Sequence, residues 1–347
     1  MNAVCQMAAL ACLAVASTAS AHPAVAGTRT TIYSTVPVAY RPYTASWDAQ
    51  GRLYLGSDNN ATSGEFLRRV PAGGGPSEVF ADSRIFDPDG ILVDVNGTIT
   101  GVAGSVLAAS GTSSGGGQLS RIDPDGSVSL FLSQGSELNN CDAMVVDANG
   151  TIYINVPGNR TIARRTAGTF STCITLGATD GGVLAIDDNN KLWVGCGDGA
   201  VRRYALSGAT PVLDLVVPIG SSAAGLGYCG GGVFPKGVYA VNRSSKLLYR
   251  IADDGSTTIV GTDFPSGAYS LAFNEHGDLI VPDWDTGTIW LFSCGADYNT
   301  DGFFTFEDFD AFVQDFEAGN EDADFNNDGF LTFEDFDAFV ALFESGC

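Results

Sequence analysis

Val145-Val-Asp-Ala-Asn-Gly-Thr-Ile-Tyr-Ile154 reads as a β-hairpin: an apolar strand, a turn built on Asp147, Asn149 and Gly150, and a second strand. Asn-Gly favours a tight hairpin because both residues tolerate φ > 0. The same phrase recurs along the chain. Its copies are Ser46-Trp-Asp-Ala-Gln-Gly-Arg-Leu-Tyr-Leu55, Leu92-Val-Asp-Val-Asn-Gly-Thr-Ile-Thr-Gly101, Ala185-Ile-Asp-Asp-Asn-Asn-Lys-Leu-Trp-Val194 and Ala272-Phe-Asn-Glu-His-Gly-Asp-Leu-Ile-Val281. Gly232-Val-Phe-Pro-Lys-Gly-Val-Tyr-Ala-Val241 is a degenerate sixth. A third and a fourth strand follow each hairpin, as in Leu119 to Ile122 with Val128 to Leu132, and Leu247 to Ile251 with Thr257 to Val260. Four antiparallel strands repeating every roughly 40–50 residues specify a propeller. Six hairpins predict an all-β six-bladed β-propeller over residues 22–293. The sixth blade runs straight into the acidic tail, so Thr30 to Val36 is expected to supply its outer strand and close the ring. A β-sandwich is the competing arrangement of so many short strands.

The period and the Asp-x-x-Gly hairpins resemble the NHL-like and gluconolactonase-like propellers. In such folds ligands sit on the axis, where the innermost strands begin. By register with the hairpins, the axial candidates are Tyr43, Asp89, Asp142, Gly182 with Asp180 before it, Cys229 and Tyr269. Asp89 and Asp142 occupy equivalent places, each five residues before a hairpin aspartate. Two such carboxylates either share a divalent ion or make turn hydrogen bonds. The gluconolactonase resemblance implies a central metal held by a Glu, two Asn and an Asp. Here only the Asp type is present, with Asn140 as the one nearby amide. Past residue 21 the histidines are His22 and His276. A Ser-His-Asp triad would need His276, and no Gly-x-Ser-x-Gly elbow precedes it. The histidine acid that a streptogramin-lyase-like propeller implies is likewise missing. Gly-rich stretches such as Ala72 to Pro76 lack the Lys-Ser/Thr of a phosphate loop.

The last fifty-four residues, Cys294 to Cys347, are of another kind. Ala296-Asp-Tyr-Asn-Thr-Asp-Gly-Phe-Phe-Thr-Phe-Glu-Asp-Phe-Asp-Ala-Phe-Val313 returns twenty-seven residues later as Ala323-Asp-Phe-Asn-Asn-Asp-Gly-Phe-Leu-Thr-Phe-Glu-Asp-Phe-Asp-Ala-Phe-Val340. Each copy follows the calcium-loop spacing, with side-chain oxygens at positions 1, 3, 5 and 12, a carbonyl at 7 and Gly at 6. The candidate ligands are Asp297, Asn299, Asp301, the carbonyl of Phe303 and Asp308 in the first loop. Asp324, Asn326, Asp328, the carbonyl of Phe330 and Asp335 repeat them in the second. Two Ca²⁺ ions are therefore expected. Phe309, Phe312, Val313 and Phe316 share one helical face after the first loop, and Phe336, Phe339, Val340 and Phe343 after the second. A module this small buries little, so calcium should help fold it. Ligand at a hundredfold above its Kd adds about 2.7 kcal/mol per site.

An Asp at position 12, and no helix before the first loop, resemble the dockerin family; Gly346-Cys347 resembles the GC-type anchoring dockerins. The resemblance implies a small all-α calcium-loop domain over 294–347 that docks to a cohesin-like receptor. Positions 10 and 11, where dockerins of cellulosomes often carry Ser-Thr, are Phe306-Glu307 and Phe333-Glu334 here. The near-identity of the repeats would permit binding in two orientations.

The formal charge is −23, and fifteen acidic residues with no basic one fall in the last fifty-four. No basic cluster exists, which argues against nucleic acid. Residues 1–21 resemble a secretory signal peptide, with an apolar core and Ala19-Ser20-Ala21 before His22, and no later stretch reaches membrane-spanning length. Secretion or a cell-surface location is therefore expected. Six cysteines remain after it, and an even count in an exported chain favours disulfides. A pseudo-twofold would bring Cys294 to Cys347; a free terminal thiol is the other reading. The chain thus reads as an exported, calcium-binding, non-enzymatic propeller docked to an extracellular assembly, its own ligand unknown. The alternatives are a metal-dependent lactonase or related hydrolase, with Asp89 and Asp142 on the axis, and a carbohydrate-binding component of a polysaccharide-degrading assembly.

Overall fold

Strong alternation along the strands sends neighbouring side chains to opposite faces, and in this protein both faces are covered. The computed structural model describes residues 22–58, 65–112, 116–133, 135–166, 168–177, 181–208, 210–220, 223–299, 304–326 and 328–345. Its sheets form six blades. Blade one comprises Pro42–Trp47, Leu53–Ser57, Arg68–Val70 and Glu78–Val79. Blade two is Gly90–Asp94, Ser105–Thr112, Gly116–Ile122 and Val128–Ser133. Blade three is Met144–Val146, Ile152–Val156, Thr161–Thr166 and Thr169–Thr175. Blade four is Gly181–Ile186, Lys191–Cys196, Ala200–Ala205 and Val212–Pro218. Blade five is Ala223–Cys229, Gly237–Asn242, Leu247–Ile251 and Thr257–Thr262. Blade six takes Ala272–Phe273, Leu279–Pro282 and Thr288–Cys294 from the end of the ring.

The outer strand of blade six is Thr28–Thr35, paired antiparallel to Thr288–Cys294 from Thr28 opposite Cys294 to Thr35 opposite Thr288. The amino-terminal strand thus closes the ring as expected. A short extra strand, Ala24–Val25, pairs with Thr262 and Gly261 at the edge of blade five. Burial is organised between blades. Ile152, Ile154 and Val156 pack towards blade two with Leu107 and Leu119. Their neighbour Tyr153 turns the other way, to Leu184 and Leu192 of blade four. Comparable cores join blades four and five around Trp193 and Val238, five and six around Tyr239 and Phe292, six and one around Leu53 and Ile280, and one and two around Tyr54 and Val106.

The hairpin aspartates act through their side chains. Asp147 Oδ1 accepts from the amides of Asn149 and Thr151, at 2.8 and 2.9 Å, and Asp48 Oδ1 does the same for Gln50 and Arg52. Gly150 has φ 78° and Gly51 φ 72°, while Asn149 stays at negative φ. These are turns with one left-handed residue, not two, because the aspartate supplies the bonds that order the rest. The Asn96-Gly97 copy departs further. Residues 95–104 form a longer connection and the second strand starts at Ser105, since Asp94 Oδ2 gathers the Ile99 and Thr100 amides and the Thr100 hydroxyl.

The disulfide expectation fails for the propeller. Cys141, Cys173, Cys196 and Cys229 are free thiols. They fill the apolar space between blades, and Cys141, Cys173 and Cys229 donate to the carbonyls of Ser110, Ile162 and Phe234 at 3.2–3.3 Å. Cys294 is not among the free thiols, and Cys347, its expected partner, lies outside the described residues. So does the whole of the signal-peptide reading, residues 1–21. No described helix is long and apolar enough to cross a membrane.

Two helices come after the propeller, α1 at Phe306–Ala318 and α2 at Phe333–Ser345. Their stripes meet as the phenylalanine spacing requires: Phe312 stacks on Phe339, its counterpart twenty-seven residues on, with centroids 4.1 Å apart and planes 16° from parallel. Tyr298, Ala323 and Phe325 complete this core. A single arginine of the ring-closing strand ties it to the propeller. Arg29 donates to the Tyr298 carbonyl at 2.7 Å and the Asp322 carbonyl at 3.2 Å, and its guanidinium lies 3.9 Å from the Tyr298 ring centroid. Arg29→Ala removes two charge-assisted bonds and a cation–π contact, about 1–3 kcal/mol. Calorimetric melting of the full chain is expected to show the helical module uncoupled from the propeller in this variant. One unchanged transition would show that the contact carries no coupling.

Candidate axial site and calcium loops

At the end of the ring where the innermost strands begin, Tyr43, Asp58, Asp87, Asp89, Asn140, Asp142, Gly181 and Gly182 surround a cavity of about 330 Å³. Backbone contacts between blades create it. Ser57 donates to the Pro88 carbonyl at 3.1 Å, which lays the end of a blade-one strand against the Asp87-Pro88-Asp89 loop. Gly56 permits that approach, as a Cβ there would stand 2.5 Å from the Pro88 oxygen. Gly90 permits the next, since its Cβ would meet the Asp142 carbonyl at 2.1 Å. Asp87 and Asn140 both sit in the left-handed region, at φ 45° and 53°, strain of the kind found at functional sites.

Asp58, Asp87 and Asp89 each place an oxygen within 4.8 Å of the others. Oxygens on opposite sides of one calcium ion stand about 4.8 Å apart, at Ca–O distances near 2.4 Å. Asp142 joins them from blade three and accepts from the Tyr43 hydroxyl at 3.3 Å. Asp89 and Asp142 are 8% and 6% exposed, and an oxygen of each (Oδ1) has no hydrogen-bond partner. A buried, unpartnered carboxylate oxygen is costly unless a cation meets it. Burial, before any other cause, pushes both carboxyls well above the usual carboxylate range; neighbouring aspartates push further, and bonds from Ala143 and Tyr43 partly offset this at Asp142. Burial, then the charges of Asp142 and Asp89, keep the Tyr43 phenol protonated as a donor. The donor set therefore fits a hard divalent cation.

Of the sequence candidates, Tyr43, Asp89, Asp142 and Gly182 come together here. Tyr269 stands beside them, its ring 4.7 Å from that of Tyr43. Asp180 lies outside the described residues. Cys229 is misplaced: it ends its innermost strand instead of beginning it, and its thiol points to the Phe234 carbonyl within the core between blades five and six. The Gly230 to Gly232 run lengthens the following turn and shifts the register. Asp58 and Asp87 escaped the hairpin register because neither lies on an innermost strand. The run Asp87-Pro88-Asp89-Gly90 was the available signal.

In the second candidate calcium loop, Asp328 donates its amide to Asp324 Oδ1 (3.1 Å) and to Asn326 Oδ1 (2.9 Å), and Gly329, at φ 84°, donates to Asp324 Oδ2 at 2.8 Å. Asp335 is fully buried, accepting from Asn326 (3.1 Å) and from Thr332, at the entry to α2 (2.8 Å). Asp308 does the same between Asn299 (3.1 Å) and Thr305 (2.8 Å). Position 12 thus stitches each loop to its helix. Phe330 is described, and its amide bonds to Asp328. Asp297 also falls within the described residues, whereas Asp301 and Phe303 lie outside them.

No protein-family model matches the sequence, and no curated protein does. Solved structures do resemble the propeller. A gluconolactonase from Xanthomonas campestris aligns with TM-score 0.57 at 16% identity, over 77% of this chain and 90% of that one. Virginiamycin B lyase from Staphylococcus aureus, in a variant inactivated by replacing a histidine with alanine, gives 0.54 at 14%, over 76% and 84%. An auxiliary nutrient binding protein from Bacteroides ovatus gives 0.58 at 11%, over 77% and 76%. At such identities the likeness is one of fold.

Raised carboxyl pKa values mean that the folded chain binds more protons than the unfolded one above the ordinary carboxylate pKa of about 4. Ion-free protein therefore loses stability as pH rises from there towards neutrality. Melting temperatures of chelator-treated protein across this range should fall for the parent and less for Asp89→Asn, with calcium restoring the parent alone. In the module, Asp335→Ala removes the stitch to α2, and α2 is half of the shared core. Calcium titration of the variant is expected to show Kd raised by on the order of tenfold at both loops, and one site left at full affinity would disprove the coupling.

Proposed function

We propose that the protein is exported, that its axial acidic pocket holds a divalent cation which receives an oxygen-rich ligand, and that its calcium-loaded tail docks it to an extracellular or cell-surface assembly. The propeller acts as a binding module. The observation that carries this reading is the axial cluster: two carboxylates more than nine-tenths buried line a cavity together with Asp58 and Asp87, and a buried oxygen of each has no hydrogen-bond partner. Docking is supported by the tail's surface. Phe306 and Phe333, at equivalent positions of the two repeats, are 72% and 78% exposed, and Phe330 is 71% exposed. Apolar rings held in water on an acidic module suit a protein receptor with apolar pockets and a basic rim. A cohesin-like receptor would fit. With Phe-Glu in place of Ser-Thr, the tail would address a receptor surface different from the one that cellulosomal dockerins meet.

A second reading, hydrolysis of a lactone, is favoured by the position of Asp142 beside the Tyr43 hydroxyl at the cation pocket. A bound cation would supply Lewis acidity to a carbonyl oxygen. Asp142 would take a proton from water as the water oxygen bonds to the carbonyl carbon; the ring C–O bond breaks, and the leaving ring oxygen takes that proton back from Asp142. Histidine chemistry of the lyase type finds no support. His22 lies beside Trp290, ring centroids 5.3 Å apart and planes tilted by 54°, and His276 sits in the blade-six hairpin, both away from the pocket. The test of docking is capture of envelope proteins by the full chain, with and without chelator, beside a Phe306→Ser/Phe333→Ser variant. One band lost under both treatments is expected. Identical recovery in all arms would remove the docking proposal. A lactone panel left unhydrolysed by calcium-loaded protein would remove the second reading.

A further inference from the structure

A second cavity, of about 340 Å³, is lined by the residues that come next on the same strands as the acidic one, and its wall is mostly aliphatic, including Ile91, Ala143, Val183, Leu184, Leu226 and Leu271. The two spaces are stacked on the same strands. Tyr43 lines the first and Thr44 the second; Asp142 is followed by Ala143, and Gly182 by Val183. Each step along three innermost strands thus passes from the polar chamber to the apolar one. Gly182 leaves the junction open, since nothing lies within 4 Å of where its Cβ would stand.

A compact polar ligand would use only the upper chamber and leave the aliphatic wall to water. An amphiphile would use both. We infer that the ligand of the axial site is an amphiphile, with a cation-binding oxygen headgroup at Asp58, Asp87, Asp89 and Asp142 and an unbranched apolar chain running down the axis. This rests on the axial cation proposed above. Both volumes fall in the range of small-molecule sites, where apolar walls give affinity and a few polar groups fix orientation. Burial of each methylene is expected to tighten binding by about fourfold at best.

The experiment uses the full chain in millimolar calcium and a series of neutral probes: γ-butyrolactone, γ-hexalactone and γ-octalactone. Affinity is read by calorimetry, and the number of bound calcium ions is measured separately for the parent and Asp89→Asn. The expected result is affinity rising at least about tenfold from the first lactone to the last. Ser270→Phe narrows the aliphatic chamber, away from the carboxylates, and is expected to abolish the dependence on chain length while calcium stoichiometry stays at the parent value. Equal binding of all three lactones, or none, with Asp89→Asn still costing one ion, overturns the amphiphile and leaves the cation standing. No ion lost in Asp89→Asn overturns the cation reading, and the inference with it.

Discussion

Everything in the propeller depends on one constraint: a blade has two faces, and neither can meet water. Alternation gives Tyr153 to one neighbour and Ile152, Ile154 and Val156 to the other, so no blade is complete alone. Apolar burial of this kind is favourable only if the ring closes, because an open ring would expose two whole faces. Closure falls to Thr28–Thr35, hydrogen-bonded along the last strand of blade six. Once that strand is seated, the innermost strands are forced into a narrow circle, and their starting ends converge on the axis.

The acidic pocket is a consequence of that convergence. Its four carboxylates come from three loops, Asp87 and Asp89 sharing one, and no local preference would gather the three. Glycine makes the gathering possible at two points, Gly56 against Pro88 and Gly90 against Asp142. The cost is electrostatic: like charges are held together at low solvent exposure, and the protein keeps protons on Asp89 and Asp142 well beyond the ordinary range. Arg41 offsets part of this for Asp58, from its seat 4.4 Å from the Trp284 ring. Such a cluster destabilises an ion-free fold at neutral pH, a cost that a bound cation would relieve.

The sequence made the blades readable because each hairpin carries its own turn chemistry. Asp48, Asp147 and Asn274 bond to amides two and four residues ahead, a local event that needs no partner. Where the turn chemistry changed, the reading slipped. Asp94 bonds instead to residues five and six ahead and opens a longer loop. The three glycines after Cys229 moved that residue to the wrong end of its strand. Half of the carboxylate cluster was legible through register, as Asp89 and Asp142. Asp58 was not, because the contact that brings it there, Ser57 to Pro88, joins segments about thirty residues apart and leaves no trace in either. The free cysteines were misread for a related reason: counting them ignores which inter-blade core each one enters.

The same closing strand also reaches the module beyond the ring. Arg29 grips the carbonyl of Tyr298, which lies between Asp297 and Asn299, and the carbonyl of Asp322, two residues before Asp324. Gly295, at the junction, lies close against the module: a Cβ there would stand 2.4 Å from the tip of Leu342 and 2.9 Å from that of Phe325, and those side chains would have to shift. The start of the first candidate calcium loop and the turn leading into the second are therefore held by the strand that completes the propeller. Anything that orders those loops lowers the freedom of Tyr298 and Asp322, and so favours the seated position of Arg29. By the same linkage, a propeller with its closing strand in place presents both loops partly ordered, and an ion entering them has less conformational entropy to overcome. Ring closure and ordering of the loops are thus joined through a side chain that belongs to neither the blade cores nor the phenylalanine core, and an ion bound in the loops would favour both.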